Sequence, residues 1–345
     1  VRTDTMASSP SPESGTTVRP LRPEDEPGVR ELIAADRLPG QPHCTPETLT
    51  AAWCAPVPLV GRAMAARPQI SVLTDAEDRP RGTLACLSWT DAPAGQICWV
   101  HAYEDPTALR ALIGHALRVL AHCPRIEAFV GAPPGPLGPG GLPRTRRRAT
   151  HNALVQTDFT GRCQGRYLHR ALPAEPLPAK LVADVFPCDF PPGHRLLLRE
   201  DTEPVAEAVV GTGPDRTATL YWIETTPTRR RRGLGRRLLG QALALLAEQG
   251  ATEVALVLDD AQPPTCESQA AIRLFRSFGF TLVDELWTYQ HRRPEPRRPG
   301  AQAAGPPDGS RSDAGQAPVR RGLVRPPRGR WSGPDDGAHS PAPAG

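Results

Sequence analysis

Residues 109–130 read LRALIGHALRVLAHCPRIEAFV, and residues 235–257 read GRRLLGQALALLAEQGATEVALV. At an offset of 126, Arg110, Leu112, Gly114, Ala116, Leu117, Leu120 and Ala121 fall on Arg236, Leu238, Gly240, Ala242, Leu243, Leu246 and Ala247. The likeness resumes where NALVQTDFTGRCQGRYLHR, from Asn152, meets RLFRSFGFTLVDELWTYQHR, from Arg273, with Phe159-Thr160 against Phe280-Thr281. Solenoid and propeller periods run to roughly 20–50 residues, so a period this long indicates a duplicated domain. Helix, strand, helix and strand recur in the same order, which argues against chance likeness between two Leu/Ala/Arg-rich helices.

Each copy has the pattern of an α/β unit. In the second, Leu234, Leu238, Leu239, Ala242, Leu245 and Leu246 recur at helical spacing. Gly250 stands where a helix C-terminal cap belongs, and the apolar run 254–258 suits a buried parallel strand. Strand patterns precede each repeat, at 69–73, 82–89 and 96–101 in the first and at 194–199, 205–210 and 218–224 in the second. Segments 200–204 and 211–216 have hairpin chemistry. An opening strand (18–23) and helix (24–35) serve the first copy, whereas the second offers only a short helix near 179–185. The expected boundaries are 1–16 and 294–345 as disordered Ser/Pro- and Pro/Gly/Arg-rich ends, with domains over 17–173 and 174–293.

The chain has 345 residues, room for two domains plus tails. Its net charge of +4 comes from arginine, because Lys180 is the only lysine. Selection for phosphate contacts would not exclude lysine. The basicity therefore carries no argument for nucleic acid, and no nucleic-acid partner is expected. Eight cysteines without a C-x-x-C pair give no support to a zinc site, and no metal is expected. They read as reduced thiols, which points to the cytoplasm. No run of 18 apolar residues suggests a membrane span, and the N-terminus lacks a signal-peptide stretch.

The chemistry lies in TRRRRGLGRRLL, where a strand ends at Pro227 and a helix begins. A helix N-terminus leaves backbone N–H groups unpaired and carries partial positive charge, so it accepts a diphosphate. Gly233 and Gly235 let the backbone approach phosphate oxygens closely, and the flanking arginines add charge-assisted hydrogen bonds. A nicotinamide fingerprint needs G-x-G-x-x-G, and a triphosphate loop needs G-x-x-x-x-G-K-[ST]. Neither fits.

IETTPTRRRRGLGRRLL, then VALVL, then SQAAIRLFRSFGFTLV resemble the GNAT acetyltransferases, strongly over 218–290 and weakly over 179–217. The resemblance implies tandem GNAT folds in the α/β class. Each would be a mixed, mostly antiparallel sheet flanked by helices, with disordered tails at both ends of the chain. It implies acetyl-CoA as cosubstrate, with the pantetheine arm along Ile223, Glu224 and Thr225. The pyrophosphate would lie on the amides of Arg230, Arg231, Arg232, Gly233, Leu234, Gly235 and Arg236. A neutral amine would attack the thioester. Ser268 stands where the family commonly has Asn, and Phe275 where a proton-donating Tyr is frequent. Ser268, Cys266 and Tyr289 are the nearby replacements in sequence. Glu224 is the candidate general base, with a solvated strand carboxylate as the plain alternative. Asp259 and Asp260 follow the next strand, where a cationic acceptor could bind, but a loop carboxylate pair is the preferred reading.

In the first copy the offset puts Thr107 on Gly233 and Leu109 on Gly235, while Glu104 and Asp105 bring negative charge. That copy is expected to bind no acetyl-CoA, with Leu109 blocking close approach, and to help form the substrate cleft. The basic cluster 144–148 reads as a solvated loop and helix start. The leading expectation is an N-acetyltransferase acting on a primary amine of a small molecule. Mycothiol-synthase-like or protein N-acetyl transfer are alternatives within that class. A non-catalytic acetyl-CoA-binding or interaction module is the rival, motivated by Phe275 and Ser268. Oligomeric state is unread, and a monomer fits the duplication.

Overall fold

The computed structural model describes residues 15–54, 68–89, 94–130, 135–173, 182–189, 191–213, 215–259 and 266–292. The expected tails lie outside the described residues, apart from Gly15 and Thr16.

The first half runs β1 (Thr17–Pro20), α1 (Glu26–Ala35), α2 (Pro46–Cys54), β2 (Gln69–Thr74), β3 (Pro80–Ser88) and β4 (Ala94–His101). It continues with α3 (Pro106–Val119), β5 (Arg125–Ala128), β6 (Leu142–Pro143), α4 (Arg148–Gln156) and β7 (Thr160–Ala171). The second half runs β8 (Asp184–Asp189), β9 (Pro192–Glu200), β10 (Glu203–Thr212) and β11 (Thr217–Thr225). Then come α5 (Leu234–Glu248), β12 (Glu253–Asp259), α6 (Cys266–Ser277) and β13 (Thr281–Arg292).

The described strands form one mixed sheet in the order β1-β2-β3-β4-β5-β13-β7-β12-β11-β10-β9-β8, with β6 paired to β13. The order is a palindrome of the two repeats, in which β8 to β12 answer β1 to β5. The closing strands are exchanged. β13, from the end of the chain, pairs with β5 of the first half, and β7 pairs with β12 of the second. The two exchanged strands pair antiparallel with each other, from Thr281↔His169 to Gln290↔Thr160.

The repeat sequences bury the same faces. Leu109, Leu112, Ile113 and Ala116 of α3 enter one core, and Leu238, Leu239, Ala242 and Leu246 of α5 enter another. A third core lies under α1 and α2, on the opposite face of the first half. Gly250, at φ +84°, ends α5 in the left-handed conformation that a Cβ disfavours. Asp201, at φ +55°, lies in the short turn joining β9 to β10.

One expected element is corrected. Residues 179–181 lie outside the described residues, but Asp184 and Val185, expected in a helix, begin strand β8. Pro187 explains the difference. Inside a helix it would remove a hydrogen bond and clash with the preceding turn, whereas an edge strand tolerates it. The chain then turns from β8 directly into β9, without the two helices that follow β1.

Candidate functional site

The parallel pairing of β11 and β12 runs from Thr217↔Glu253 to Leu220↔Leu256 and stops there. The cause is a bulge. Val210 faces Leu220 while Val209 faces Trp222, so Tyr221 is an extra residue against β10. A bulge bends and twists its strand. Beyond it, β11 follows β10 (Ala208↔Ile223, Ala206↔Thr225) and β12 follows β7 (Val257↔Tyr167, Asp259↔Gly165). The two strands splay, and the backbone of Ile223, Glu224 and Thr225 borders the opening.

The loop from β11 to α5 is tied at its base. Thr226 N–H donates to Val205 O (2.9 Å), and Arg230 Nε donates to Thr225 O (3.1 Å). Arg231 (φ +64°) and Gly233 (φ +77°) turn the chain into α5 through left-handed conformations. Gly233 is the N-cap residue, and α5 has no side-chain cap. The N–H groups of its first turn, including Leu234, Gly235 and Arg236, are therefore left for an external acceptor. A Cβ on Gly235 would meet Thr225 Oγ1 at 3.5 Å and Leu274 Cδ2 at 3.7 Å, ordinary contacts. The fold itself does not demand glycine there.

Arg230, Arg231, Arg232 and Arg237 are exposed around this turn. Glu200 Oε2 lies 3.3 Å from Arg229 and 3.8 Å from Arg232, a solvent-screened pairing worth little on its own. Arg236 reaches α6, where NH1 donates to Ser277 Oγ (3.0 Å) and the guanidinium lies 5.2 Å over Phe278.

Ile223 packs against the core beneath α5, and Thr225 approaches Gly235 on that same face. Strand alternation then puts Glu224, which is exposed, on the opposite face. Phe275 is 3% exposed, with its ring edge-on to Phe280 at 5.6 Å, so it holds α6 in the core. Ser268 is in the first turn of α6, but its side chain lies outside the described residues, as do the Cys266 side chain and Asp260. Asp259 is the exposed last residue of β12. Strand exchange takes Tyr289 away from this site. It is buried in the first half's core, 2.8 Å from His151 Nδ1, which corrects its reading as a nearby proton donor. Tyr221 leans over Gly211 of β10, away from β12.

On the face opposite α5, the first half lays a strap over the second. Leu38 joins Tyr167, Ala255 and Leu286 in an apolar cluster, and Tyr167 OH donates to Pro39 O (3.1 Å). Gly40, at φ +73°, fits where a Cβ would come 2.8 Å from His169 Cδ2. His43 N–H donates to Asp215 Oδ2 at 2.6 Å. Burial would raise the Asp215 carboxyl, but hydrogen bonds from Thr217 and His43 outweigh this and hold it below the usual carboxylate range.

The first half builds the same splay and closes it differently. β4 and β5 pair from Ala94↔Arg125 to Ile97↔Ala128, and a bulge at Cys98 follows. Asp105 then caps α3 with its own carboxylate, accepting from Thr107 N (2.7 Å) and Ala108 N (3.1 Å). Glu104 caps α4 in the same manner, accepting from Ala149 N (2.6 Å) and Thr150 N (3.1 Å). Leu109 is fully buried, so the expectation that it blocks the approach is corrected: the carboxylate of Asp105 occupies the helix N-terminus.

In the cluster 144–148, Arg144, Thr145, Arg146 and Arg148 are exposed at a loop and helix start, as expected, and Arg147 alone is buried. Arg144 stacks over Trp287 at 4.2 Å, and Arg147 is buried on Glu104 (2.7 Å) and Asp36 (3.3 Å). Asp36 in turn accepts from His101 Nδ1 at 2.8 Å. Burial opposes its charge, yet His101 and Arg147 hold its carboxyl below the usual range. Sequence reading missed this group because its members are 36, 101, 104 and 147 in the chain and form no local motif.

Residues 164–280 match the acetyltransferase (GNAT) family model. The chain carries a GNAT acetyltransferase domain. No curated protein matches the chain. Among solved structures, the chain is similar to a tandem GNAT protein from the clavulanic acid biosynthesis pathway. That likeness has 14% identity over 80% of this chain and 98% of that one, with a TM-score of 0.57. It is also similar to a GCN5-related N-acetyltransferase from Sphaerobacter thermophilus, at 12% identity over 81% and 96%, with a TM-score of 0.53. At these identities the likeness is one of fold, and it covers about four fifths of this chain. Among the described residues, no helix is long and apolar enough to cross a membrane.

Proposed function

We propose that the chain is a cytoplasmic N-acetyltransferase that takes acetyl from acetyl-CoA to a primary amine of a small molecule, with one cofactor site per chain. The observation that carries this reading is the contrast between two equivalent helix N-termini. α5 opens on a left-handed glycine with no cap beside splayed strands, and α3 is stopped by Asp105.

Acetyl-CoA supplies an activated thioester when bound. The first-turn amides of α5 would hold its diphosphate, with Arg230, Arg231 and Arg232 adding charge. The freed backbone edge of Ile223 to Thr225 would take the amide-bearing arm. Glu224, on the opposite face, is the group to accept the proton that the attacking amine loses. Leu38, packed in the cluster that includes Tyr167 and Val257 where β12 leaves β11, is the point at which the first half would reach the acceptor side of the cleft. The buried Phe275 cannot donate a proton, so a water or Ser268 serves the leaving thiolate. The lack of a hydroxyl at Phe275 also favours one second reading, a domain that binds acetyl-CoA without turnover.

The test is the thermal unfolding midpoint with and without acetyl-CoA, beside Gly235→Glu. At about 100 times the dissociation constant, binding adds about 2.7 kcal/mol of stability. A rise in midpoint that Gly235→Glu abolishes supports the cradle, and CoA release with an amine panel then separates transfer from binding alone. No rise at millimolar acetyl-CoA overturns the proposal.

A further inference from the structure

The two halves finish one face of the sheet differently. In the first, Trp99 of β4, Ala85 of β3 and Ile70 of β2 stand in register as a row across the strands. Val29 and Ile33 of α1 and Leu49 of α2 pack over that row, and Trp99 is 6% exposed. The bulges at Cys98 and Tyr221 locate the equivalent row of the second half, which is Trp222 of β11, Val209 of β10 and Arg195 of β9.

Because β8 turns straight into β9, no described helix covers this second row, and α5 and α6 lie on the other face. The sequence answers the loss at two places. Arg195 stands where the first half has Ile70, and it pairs with Glu207 (2.8 Å), which gives the uncovered face a charged finish. Trp222 keeps its aromatic ring. It is half-buried, and among the described residues its indole has no hydrogen-bond, ring or cation partner. Trp287, by contrast, lies under Arg144 and donates to Glu285. The pairs Trp222↔Val209, Ile223↔Ala208 and Glu224↔Glu207 follow without a further bulge. Trp222 and Glu224 therefore share the face opposite α5, about 6.5 Å apart along the strand.

We propose, on the reading that the reacting amine stands at Glu224, that Trp222 is a specificity-determining residue and that the acceptor is a primary amine with an aromatic ring on a short linker. The ring takes the place over Trp222 that apolar side chains of α1 and α2 hold over Trp99. Aromatic pairs gain from ring geometry beyond the area they bury, and a short linker suits the spacing from Trp222 to Glu224. A second ammonium on the acceptor has less to gain, since the Glu207 carboxylate is already paired with Arg195.

2-Phenylethylamine and n-butylamine are compared on the full chain, by ligand-observed NMR with CoA present and by CoA release with acetyl-CoA. Phenylethylamine is expected to bind at least about tenfold more tightly, a gap of about 1.4 kcal/mol. Trp222→Leu, apolar but not aromatic, should bring the ratio close to one, and Trp222→Phe should keep most of it. Equal affinity for the two amines, a ratio that both variants keep or both lose, or no binding of either amine at millimolar concentration would each overturn the proposal. Transfer to both amines alike would also overturn it and leave N-acetyl transfer standing. Trp222-dependent binding of phenylethylamine without CoA release would uphold the ring site and count against transfer instead.

Discussion

Gly233 sits at φ +77° with nothing within 4 Å of where a Cβ would stand, whereas Gly235 is helical and meets only ordinary contacts. The first glycine answers a backbone demand and the second a demand from outside the protein. Gly233→Ala should therefore cost about 1–2 kcal/mol, the usual penalty for a left-handed non-glycine residue. Gly235→Ala should be neutral or stabilise by up to about 1 kcal/mol, through helix propensity. Acetyl-CoA affinity should nevertheless fall about tenfold or more in Gly235→Ala. Urea unfolding together with calorimetric titration separates the two effects, and unchanged affinity in Gly235→Ala would remove that residue from the proposed cradle. These glycines were legible because strand end, loop and helix start are contiguous in sequence. The group of His101, Asp36 and Arg147 was not, since only the folded sheet brings it together.

At the scale of elements, the difference that bears on the cofactor lies between the fourth strand of each repeat and its helix. Four residues, Ala102 to Asp105, join β4 to α3, while eight, Thr226 to Gly233, join β11 to α5. The helix cores keep the 126 offset, but the shorter connection starts α3 earlier in that register. Aligning the copies without a gap therefore put Leu109 at the cradle when it belongs to the core. The consequence can be measured at Asp105. Asp105→Ala removes two hydrogen bonds to the first turn of α3 and should lower stability by about 1 kcal/mol, within the usual range for a lost N-cap. Acetyl-CoA binding, assigned to α5, should not change, and altered affinity in this variant would argue that the first half takes part in the cofactor site. Other elements were read well where the apolar period was long. Short strand β8 was misread, because six residues with a central proline hold too little pattern to separate strand from helix end.

At the scale of the molecule, the exchanged strands make the two halves interdependent, and no local pattern could reveal this. β7 and β13 are alike in sequence, so either would suit either place, and only the pairing shows which half each completes. Cutting the chain after residue 173 would leave the first half without β13, exposing β5 on one side and β7 on both. Unpaired strand edges are templates for association. The two pieces, 1–173 and 174–345, should therefore purify as a one-to-one complex when made together. Made alone, each should appear as oligomers or as insoluble protein. The intact chain should unfold in a single calorimetric transition, with equal calorimetric and van't Hoff enthalpies, because the sheet has no seam at which one half could open without disturbing the other. A soluble, folded monomer of 1–173 would show that β7 can return to its own half. The exchange would then be one of two accessible pairings, rather than what binds the halves into one cooperative unit.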